Sequence, residues 1–262
     1  MLESRVLRKL REGKPVVGPV FGMLPLARIA EVIGRAGYDF LWVDLESRPV
    51  DWQELYDIGI GCRAAGMDLV VRLAKTGEAE VAKVLQLGAT GVMVPKVESV
   101  EEARRYARWA KYHPEGERGF DNCGPDADFG LADKRDYIAH ANRETFCAVW
   151  MEDKAIVESI DAVAAVEGVD VLLVGFADLS ISYGVPFQKD HPLVTDAVRR
   201  MGAAAKKHGK FWGVPFGEYS RVKEFYDMGA RVFLSGIDEQ DMILEGMTLN
   251  CRRFHDAVGS RA

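Results

Sequence analysis

The sequence predicts a closed (β/α)₈ barrel, and three observations support this fold class. About eight short β-rich runs recur along the chain, and each is followed by an amphipathic stretch long enough for a helix. The runs are almost continuously apolar, which is typical of parallel strands buried on both faces. At 262 residues, the chain also has the length of such barrels. We therefore expect a single barrel domain over residues 1–262.

The predicted strands follow one another at fairly regular intervals. They are VVGPVF from Val16, FLWVDL from Phe40, LVVRL from Leu69, GVMVP from Gly91, FCAVWM from Phe146, VLLVG from Val171, FWGVPF from Phe211 and VFLSG from Val232. The alternative is a doubly wound open sheet, which would need a nucleotide-binding fingerprint. No G-x-G-x-x-G motif or P-loop follows any of these runs, so barrel closure is favoured.

Composition and charge restrict the function classes. The formal net charge is −6 and no Lys/Arg run occurs, which argues against nucleic acid or an anionic membrane as the main partner. The four cysteines lie far apart, without zinc-ligand spacing, and we expect free thiols. The N-terminal segment is charged and no apolar run reaches membrane-spanning length. These features predict a cytoplasmic enzyme with a small-molecule ligand.

One connection is unusually long, from Lys111 to Asp133. It is rich in Gly, Asp and Pro and lacks helical periodicity. Long irregular loops inside compact domains are often functional. Because this one follows the fourth strand, we expect it over the barrel mouth, where His113 could reach a ligand. A solvated surface loop is the alternative.

Polar residues that directly follow the predicted strands are the candidates for chemistry, because barrel active sites form at the carboxyl ends of the strands. The second strand ends in Asp44, Glu46 and Ser47, the third in Arg72, the fourth in Lys96, the fifth in Glu152 and the sixth in Asp178. The sequence therefore predicts a carboxylate-rich rim with one arginine.

Glu152 and Asp178 are expected on neighbouring strand ends. Two carboxylates, completed by water or ligand oxygens, would suit Mg²⁺, Mn²⁺ or Co²⁺. Such a cation could bind a 2-oxo acid through its carboxylate and keto oxygens and stabilise the enolate. Alternatively, acidic residues at strand ends cap the following helices.

Arg72 has two compatible interpretations. A guanidinium at a strand end can clamp a substrate carboxylate through two parallel hydrogen bonds. It can also form a structural ion pair with Asp44 or Glu46, and both interpretations can hold at once.

Three aromatic side chains, Phe21, Trp150 and Phe176, are expected at the barrel mouth or in its top layer. In that position they would narrow the pocket and favour an apolar second substrate. Ordinary filling of the barrel is the alternative interpretation.

At these residues the chain resembles the HpcH/HpaI aldolase family, the divalent-metal, pyruvate-dependent class II aldolases. The similar segments span nearly the whole chain and include AGYDFLWVDLES, LQLGATGVMVPKVESVEEA, YHPEGERG and, most specifically, VEGVDVLLVGFADLSISYG. The resemblance implies a phosphoenolpyruvate/pyruvate-type barrel whose C-terminal helix is swapped between subunits. It also implies a homo-hexamer or homo-trimer, with a small 2-oxo acid and an aldehyde or other carbonyl compound as substrates.

The resemblance also implies roles for individual residues. Glu152 and Asp178 would bind the metal, and Arg72 would hold the carboxylate of the oxo acid. Backbone N–H groups from Gly175 through Ala177 to Asp178 would help to seat the same carboxylate. Arg118 would contact the distal, aldehyde-derived end of the substrate.

One departure from the family pattern affects the mechanism. Ser47 occupies the position of the family's histidine, which acts as general base together with the aspartate at the position of Asp44. Three hypotheses follow. The protein is an aldolase that uses a water held by Asp44 and Glu46, or His113, as proton acceptor; or it is an oxaloacetate-type decarboxylase or altered C–C bond-forming enzyme; or it is a non-catalytic 2-oxo acid binding protein.

Overall fold

The computed structural model describes residues 1–260 and contains a closed barrel of eight parallel strands. The strand order follows the chain, since each strand pairs with the next and β8 pairs with β1. Helices alternate with the strands. The predicted (β/α)₈ fold class is therefore confirmed.

All eight predicted runs form strands. The strands are β1 Val16–Phe21, β2 Phe40–Asp44, β3 Asp68–Arg72, β4 Gly91–Val94, β5 Phe146–Met151, β6 Val169–Val174, β7 Phe211–Phe216 and β8 Val232–Ser235. The helices are α1 Arg5–Arg11, α2 Ala27–Arg35, α3 Trp52–Ala64, α4 Glu78–Gln86, α5 Val100–Trp109, α6 Lys134–Glu144, α7 Lys154–Glu158, α8 Ile160–Ala164, α9 Phe176–Ser182, α10 Pro192–Lys207, α11 Val222–Asp227 and α12 Glu239–Val258. Short 3₁₀ helices cover Pro125–Gly130 and Tyr219–Arg221.

The apolar residues form two layers, because successive strand side chains point to opposite faces of the sheet. Trp42, Val70 and Trp150 belong to the cluster inside the barrel, which α1 closes with its apolar side chains. Phe21 belongs instead to the larger cluster between the strands and the helices. The expectation that Phe21 lies at the mouth is therefore wrong.

The long connection lies at the opposite end of the barrel from the one expected. It begins after α5, which has already carried the chain back to the amino ends of the strands. There Gly124 packs against the carbonyl of Gln86, at the end of α4, and Tyr112 packs against Tyr137 of α6. His113 is exposed on this connection, so its proposed approach to the mouth is also wrong.

The last helix, α12, packs only slightly against its own barrel. Only Glu239 is buried along this helix, whereas Leu244, Met247 and Phe254 are exposed. A groove of about 750 Å³ lies outside β8 and β1, lined by Val16, Val17, Phe216, Tyr219, Tyr226 and Phe233 among others. Within residues 1–260, no helix is both long and apolar enough to cross a membrane.

Candidate active site

A cavity of about 320 Å³ lies at the carboxyl ends of the strands. Its lining comes from the ends of β3, β5, β6, β7 and β8 and from the segment after α9, and consists of Arg72, Trp150, Glu152, Gly175, Phe176, Ala177, Asp178, Phe187, Lys189, Pro215, Phe216, Gly217 and Gly236. The cavity brings together five predicted site residues from three separate segments: Arg72, Glu152, and the group Gly175, Ala177 and Asp178.

Glu152 and Asp178 face this cavity from neighbouring strands. Glu152 directly follows β5, and Asp178 lies in the first turn of α9, just after β6. The two strands pair in parallel, with Met151 opposite Val174. The chain passes so close to Glu152 at Gly175 that a Cβ atom there would lie 2.5 Å from the Glu152 Cγ. Only a glycine fits this position without displacing the carboxylate.

The electrostatics of the carboxylate pair favour a bound cation. Burial raises the pKa of Glu152 to about 7, and the negative charge of Asp178 adds to this effect, against a lowering contribution from the Lys96 backbone N–H. A divalent cation would remove this repulsion, and oxygen-only donors suit Mg²⁺ or Mn²⁺. Residues 1–260 contain no cluster of three or more His, Cys, Asp or Glu side chains that could hold a metal. A cation held by these two carboxylates would take its other ligands from water or substrate oxygens.

Arg72 is held by carboxylates from the end of β2. Its Nε lies 2.8 Å from Asp44 Oδ1, its Nη2 lies 2.6 Å from Asp44 Oδ2, and its Nη1 lies 3.2 Å from Glu46. Burial alone would lower the pKa of Arg72, but the hydrogen bonds and charges of these carboxylates raise it. The structural ion pair that the sequence left open is therefore present.

Two indole rings support the same guanidinium. Its central carbon lies 5.4 Å from the ring centroid of Trp42 and 5.7 Å from that of Trp150, within the range of cation–π contacts. Each Nη atom carries two hydrogens, so the guanidinium keeps donors beyond those used by Asp44 and Glu46. Arg72 is thus a fixed cation that can also bind a ligand in the cavity.

Asp44, Glu46 and Ser47 border Arg72 rather than line the cavity. Asp44 is buried, and its Oδ1 also accepts the backbone N–H groups of Glu46 at 3.0 Å and Ser47 at 3.2 Å. Glu46 is half-buried, and its Oε1 lies 3.5 Å from the ammonium of Lys96. The exposed Ser47 hydroxyl lies 3.4 Å from Arg72 Nη2. Of the two carboxylates, Glu46 has the greater spare capacity to accept a hydrogen bond.

Comparison with known proteins identifies the family. The family model described as HpcH/HpaI aldolase/citrate lyase matches residues 20–244. The chain belongs to this family. It is 30% identical to a hydroxypyruvate/pyruvate aldolase of Roseobacter denitrificans, over 92% of this chain and 94% of that protein. This membership confirms the predicted enzyme class, a carbon–carbon lyase of the aldolase type.

Two solved structures share the whole fold of this chain. The HpcH/HpaI aldolase from Desulfitobacterium hafniense DCB-2 matches with a TM-score of 0.89 and 28% identity, covering 95% of this chain and 96% of that chain. The citrate synthase SbnG matches with a TM-score of 0.85 and 27% identity, covering 99% of this chain and 100% of that chain. The shared fold therefore includes the strand ends that form the cavity.

Arg118 lies elsewhere in this HpcH/HpaI protein. Its side chain is 1% exposed, its Nη2 lies 2.8 Å from Asp126 Oδ2, and its guanidinium stacks 4.6 Å from the Tyr112 ring centroid. These contacts belong to the long connection at the amino ends of the strands. The expected contact with the distal end of a substrate is not formed within this chain, because Arg118 is enclosed by its own loop.

Sequence reasoning missed part of the cavity. Phe187 and Lys189 line it from the segment after α9, and Phe216 and Gly217 line it from the end of β7. Phe216 stands at a strand end, but it is apolar and so falls outside a criterion based on polar side chains. The same criterion could not find Lys189, because a whole helix separates this residue from β6.

Proposed function

We propose that this HpcH/HpaI protein is a divalent-metal aldolase that acts through the enolate of pyruvate or a related small 2-oxo acid. The observation that carries the proposal is the carboxylate pair of the buried Glu152 and the more exposed Asp178, which shares one cavity with the fixed guanidinium of Arg72. Mg²⁺, Mn²⁺ or Co²⁺ suits the two oxygen ligands. The second product or substrate is an aldehyde or another carbonyl compound.

Glu152 and Asp178 would hold the cation, and Arg72 would bind the carboxylate of the oxo acid. When bound, the cation supplies Lewis-acid stabilisation of the negative charge that develops on the oxo oxygen. The N–H of Gly175 donates to the carbonyl of Met151 at 3.3 Å and is not available to a ligand. The N–H of Ala177, in the first turn of α9, has no acceptor within its helix and is the backbone donor that we assign to the substrate carboxylate.

Proton transfer has to follow a route without histidine. In aldol cleavage the hydroxyl of the substrate loses its proton, the C–C bond breaks, and the bonding electron pair stays on the oxo-acid fragment as the aldehyde leaves. Asp44 already accepts bonds from Arg72 and two backbone N–H groups, so it positions Arg72. We assign Glu46, acting through a water molecule, as the proton acceptor.

The proposal is tested by hydrogen–deuterium exchange at the methyl group of pyruvate in D₂O, followed by NMR. We expect exchange with Mg²⁺ or Mn²⁺, its loss in EDTA, and its loss in Glu152→Gln and Asp178→Asn. The matched control is Glu158→Gln, which changes an exposed carboxylate on α7. Exchange that resists EDTA, or that persists at the wild-type rate in Glu152→Gln, would refute the metal assignment.

A second candidate function is decarboxylation of oxaloacetate, or condensation of the resulting enolate. The observation that favours it is the replacement of a histidine by Ser47 beside an Asp44 whose oxygens are already engaged. Loss of CO₂ leaves the electron pair on the oxo acid without any base. Glu46→Gln separates the two functions, since it should slow aldol cleavage by about 10²-fold or more and leave decarboxylation nearly unchanged. Equal losses in both reactions would contradict a role for Glu46 in proton transfer.

We propose that the protein is a homo-oligomer, a hexamer or trimer, in which α12 packs on a neighbouring barrel. Two observations support this assembly: the exposed apolar side chains of α12 and the apolar groove outside β8 and β1, where the eighth helix of a closed barrel would lie. The mass of the assembly in solution, measured by light scattering, tests the proposal. A monomer would contradict it.

A further inference from the structure

The segment after α9 is tied to the helix that carries Asp178. The buried hydroxyl of Ser180 donates to the carbonyl of Ala177 at 2.7 Å and accepts the N–H of Phe187 at 2.9 Å. The N–H of Val185 donates to the carbonyl of Ser180 at 2.9 Å. The segment therefore has a fixed path along one side of the cavity.

Phe187 adopts an unusual conformation within this segment. Its φ is 60°, in the left-handed region that bulky side chains rarely adopt and that costs of order 1 kcal/mol or more. The hydrogen bond to Ser180 holds it there, and its ring lines the cavity while remaining 74% exposed. Strained backbone conformations of this kind are concentrated at functional sites.

Lys189 lines the same cavity two residues further on. The neighbouring carboxylate, Asp190, pairs with Arg221 instead, and among residues 1–260 no carboxylate lies within 4 Å of the Lys189 ammonium. The other charges that line the cavity are engaged, Arg72 by the carboxylates of β2 and Glu152 with Asp178 by the proposed cation. Lys189 is exposed to solvent, and it is the charged residue of the cavity lining that has no ion-pair partner among the described residues.

We propose that Lys189 binds an anionic group on the second, carbonyl-bearing substrate, so that the preferred aldehydes carry a carboxylate. This inference rests on the proposed aldolase function. The oxo acid occupies the inner part of the cavity, between Arg72 and the carboxylate pair. The aldehyde then extends toward the rim, where Phe187 and Phe216 contact its apolar part and the Lys189 ammonium pairs with its charge.

The test compares aldehydes of matched size with and without a negative charge. The pairs are glyoxylate with glycolaldehyde, and 4-oxobutanoate with pentanal, each condensed with pyruvate by the metal-loaded protein. In Lys189→Gln we expect the KM of the charged aldehyde to rise about three- to tenfold, because an ion pair at a solvent-exposed lysine is partly screened by water. The KM of the neutral partner should change less than twofold. The matched control, Lys134→Gln, alters an exposed lysine at the opposite end of the barrel.

Three outcomes would overturn the inference. Equal KM changes for charged and neutral aldehydes would show that Lys189 does not distinguish a carboxylated aldehyde from a neutral one. A rise in the KM of pyruvate, with that of the aldehyde unaltered, would place the Lys189 contact on the oxo acid instead. Absence of metal-dependent pyruvate exchange in the wild-type protein would overturn the proposed function and this role with it, whereas exchange without charge selectivity would overturn the Lys189 role alone.

Discussion

Gly175→Ala should weaken metal binding without removing any ligand. The added Cβ would lie 2.5 Å from the Glu152 Cγ, whereas ordinary contacts begin near 3.4 Å. The Glu152 side chain must therefore retreat by roughly an ångström, and metal–oxygen distances tolerate only about 0.2 Å. Displacing a ligand's support in this way typically lowers metal affinity about 10- to 100-fold. The φ of −100° at this residue is open to alanine, so the barrel itself should fold.

The assay is titration with Mn²⁺, followed by calorimetry or by the electron paramagnetic resonance signal of the free ion. Gly217→Ala is the matched control for metal affinity, because this glycine lines the same cavity and a Cβ there meets nothing within 4 Å. Circular dichroism verifies the fold of both variants. Wild-type Mn²⁺ affinity in Gly175→Ala would refute the reasoning, since it would mean that Glu152 is not a ligand or does not need its observed position.

Three further predictions concern other parts of the molecule. Arg72→Lys cannot reproduce the paired bonds to Asp44, and kcat/KM for the oxo acid should fall about 10- to 100-fold in steady-state kinetics; an unchanged value would contradict the clamp. Glu239 accepts the backbone N–H groups of Gly22, Met23 and Leu24 through one buried carboxylate oxygen. Glu239→Gln replaces this charged acceptor by a neutral one, so the free energy of unfolding measured in urea should fall by about 2 kcal/mol. Combining Leu244→Glu with Met247→Glu should reduce the mass of the assembly in light scattering, and an unaltered oligomer would exclude α12 from the interface.

The strands and the position of the carboxylate pair could be predicted from the sequence because both follow from the order and composition of short segments. A parallel strand buried on both faces needs a continuous apolar run, and every such run identified in the sequence forms a strand. Consecutive strands of a barrel are neighbours, so residues that follow β5 and β6 must meet. Glu152 and Asp178 could therefore be placed together without knowledge of any distance.

The positions of Arg118 and His113 could not be inferred by counting from the nearest strand. Their connection follows α5 rather than β4, and a helix of ten residues returns the chain to the other end of the barrel. Because each helix of a barrel carries the chain back to the amino ends of the strands, a connection that follows α5 is expected at that end. By contrast, the close approach of Gly175 to Glu152 depends on ångström-scale packing that no sequence pattern encodes.

The distribution of charge explains why substrate preference should depend on a residue that a whole helix separates in sequence from the nearest strand. Arg72 is already neutralised by Asp44 and Glu46, and the charges of Glu152 and Asp178 are balanced once a divalent cation binds. These groups can align and activate an oxo acid, but they contribute little net charge with which to select its partner. Lys189 lies beyond α9 and contributes an uncompensated charge at the rim. We therefore expect enolisation and aldehyde selection to depend on separate segments, so that a substitution at residue 189 changes the preferred aldehyde without disturbing the carboxylates of Glu152 and Asp178.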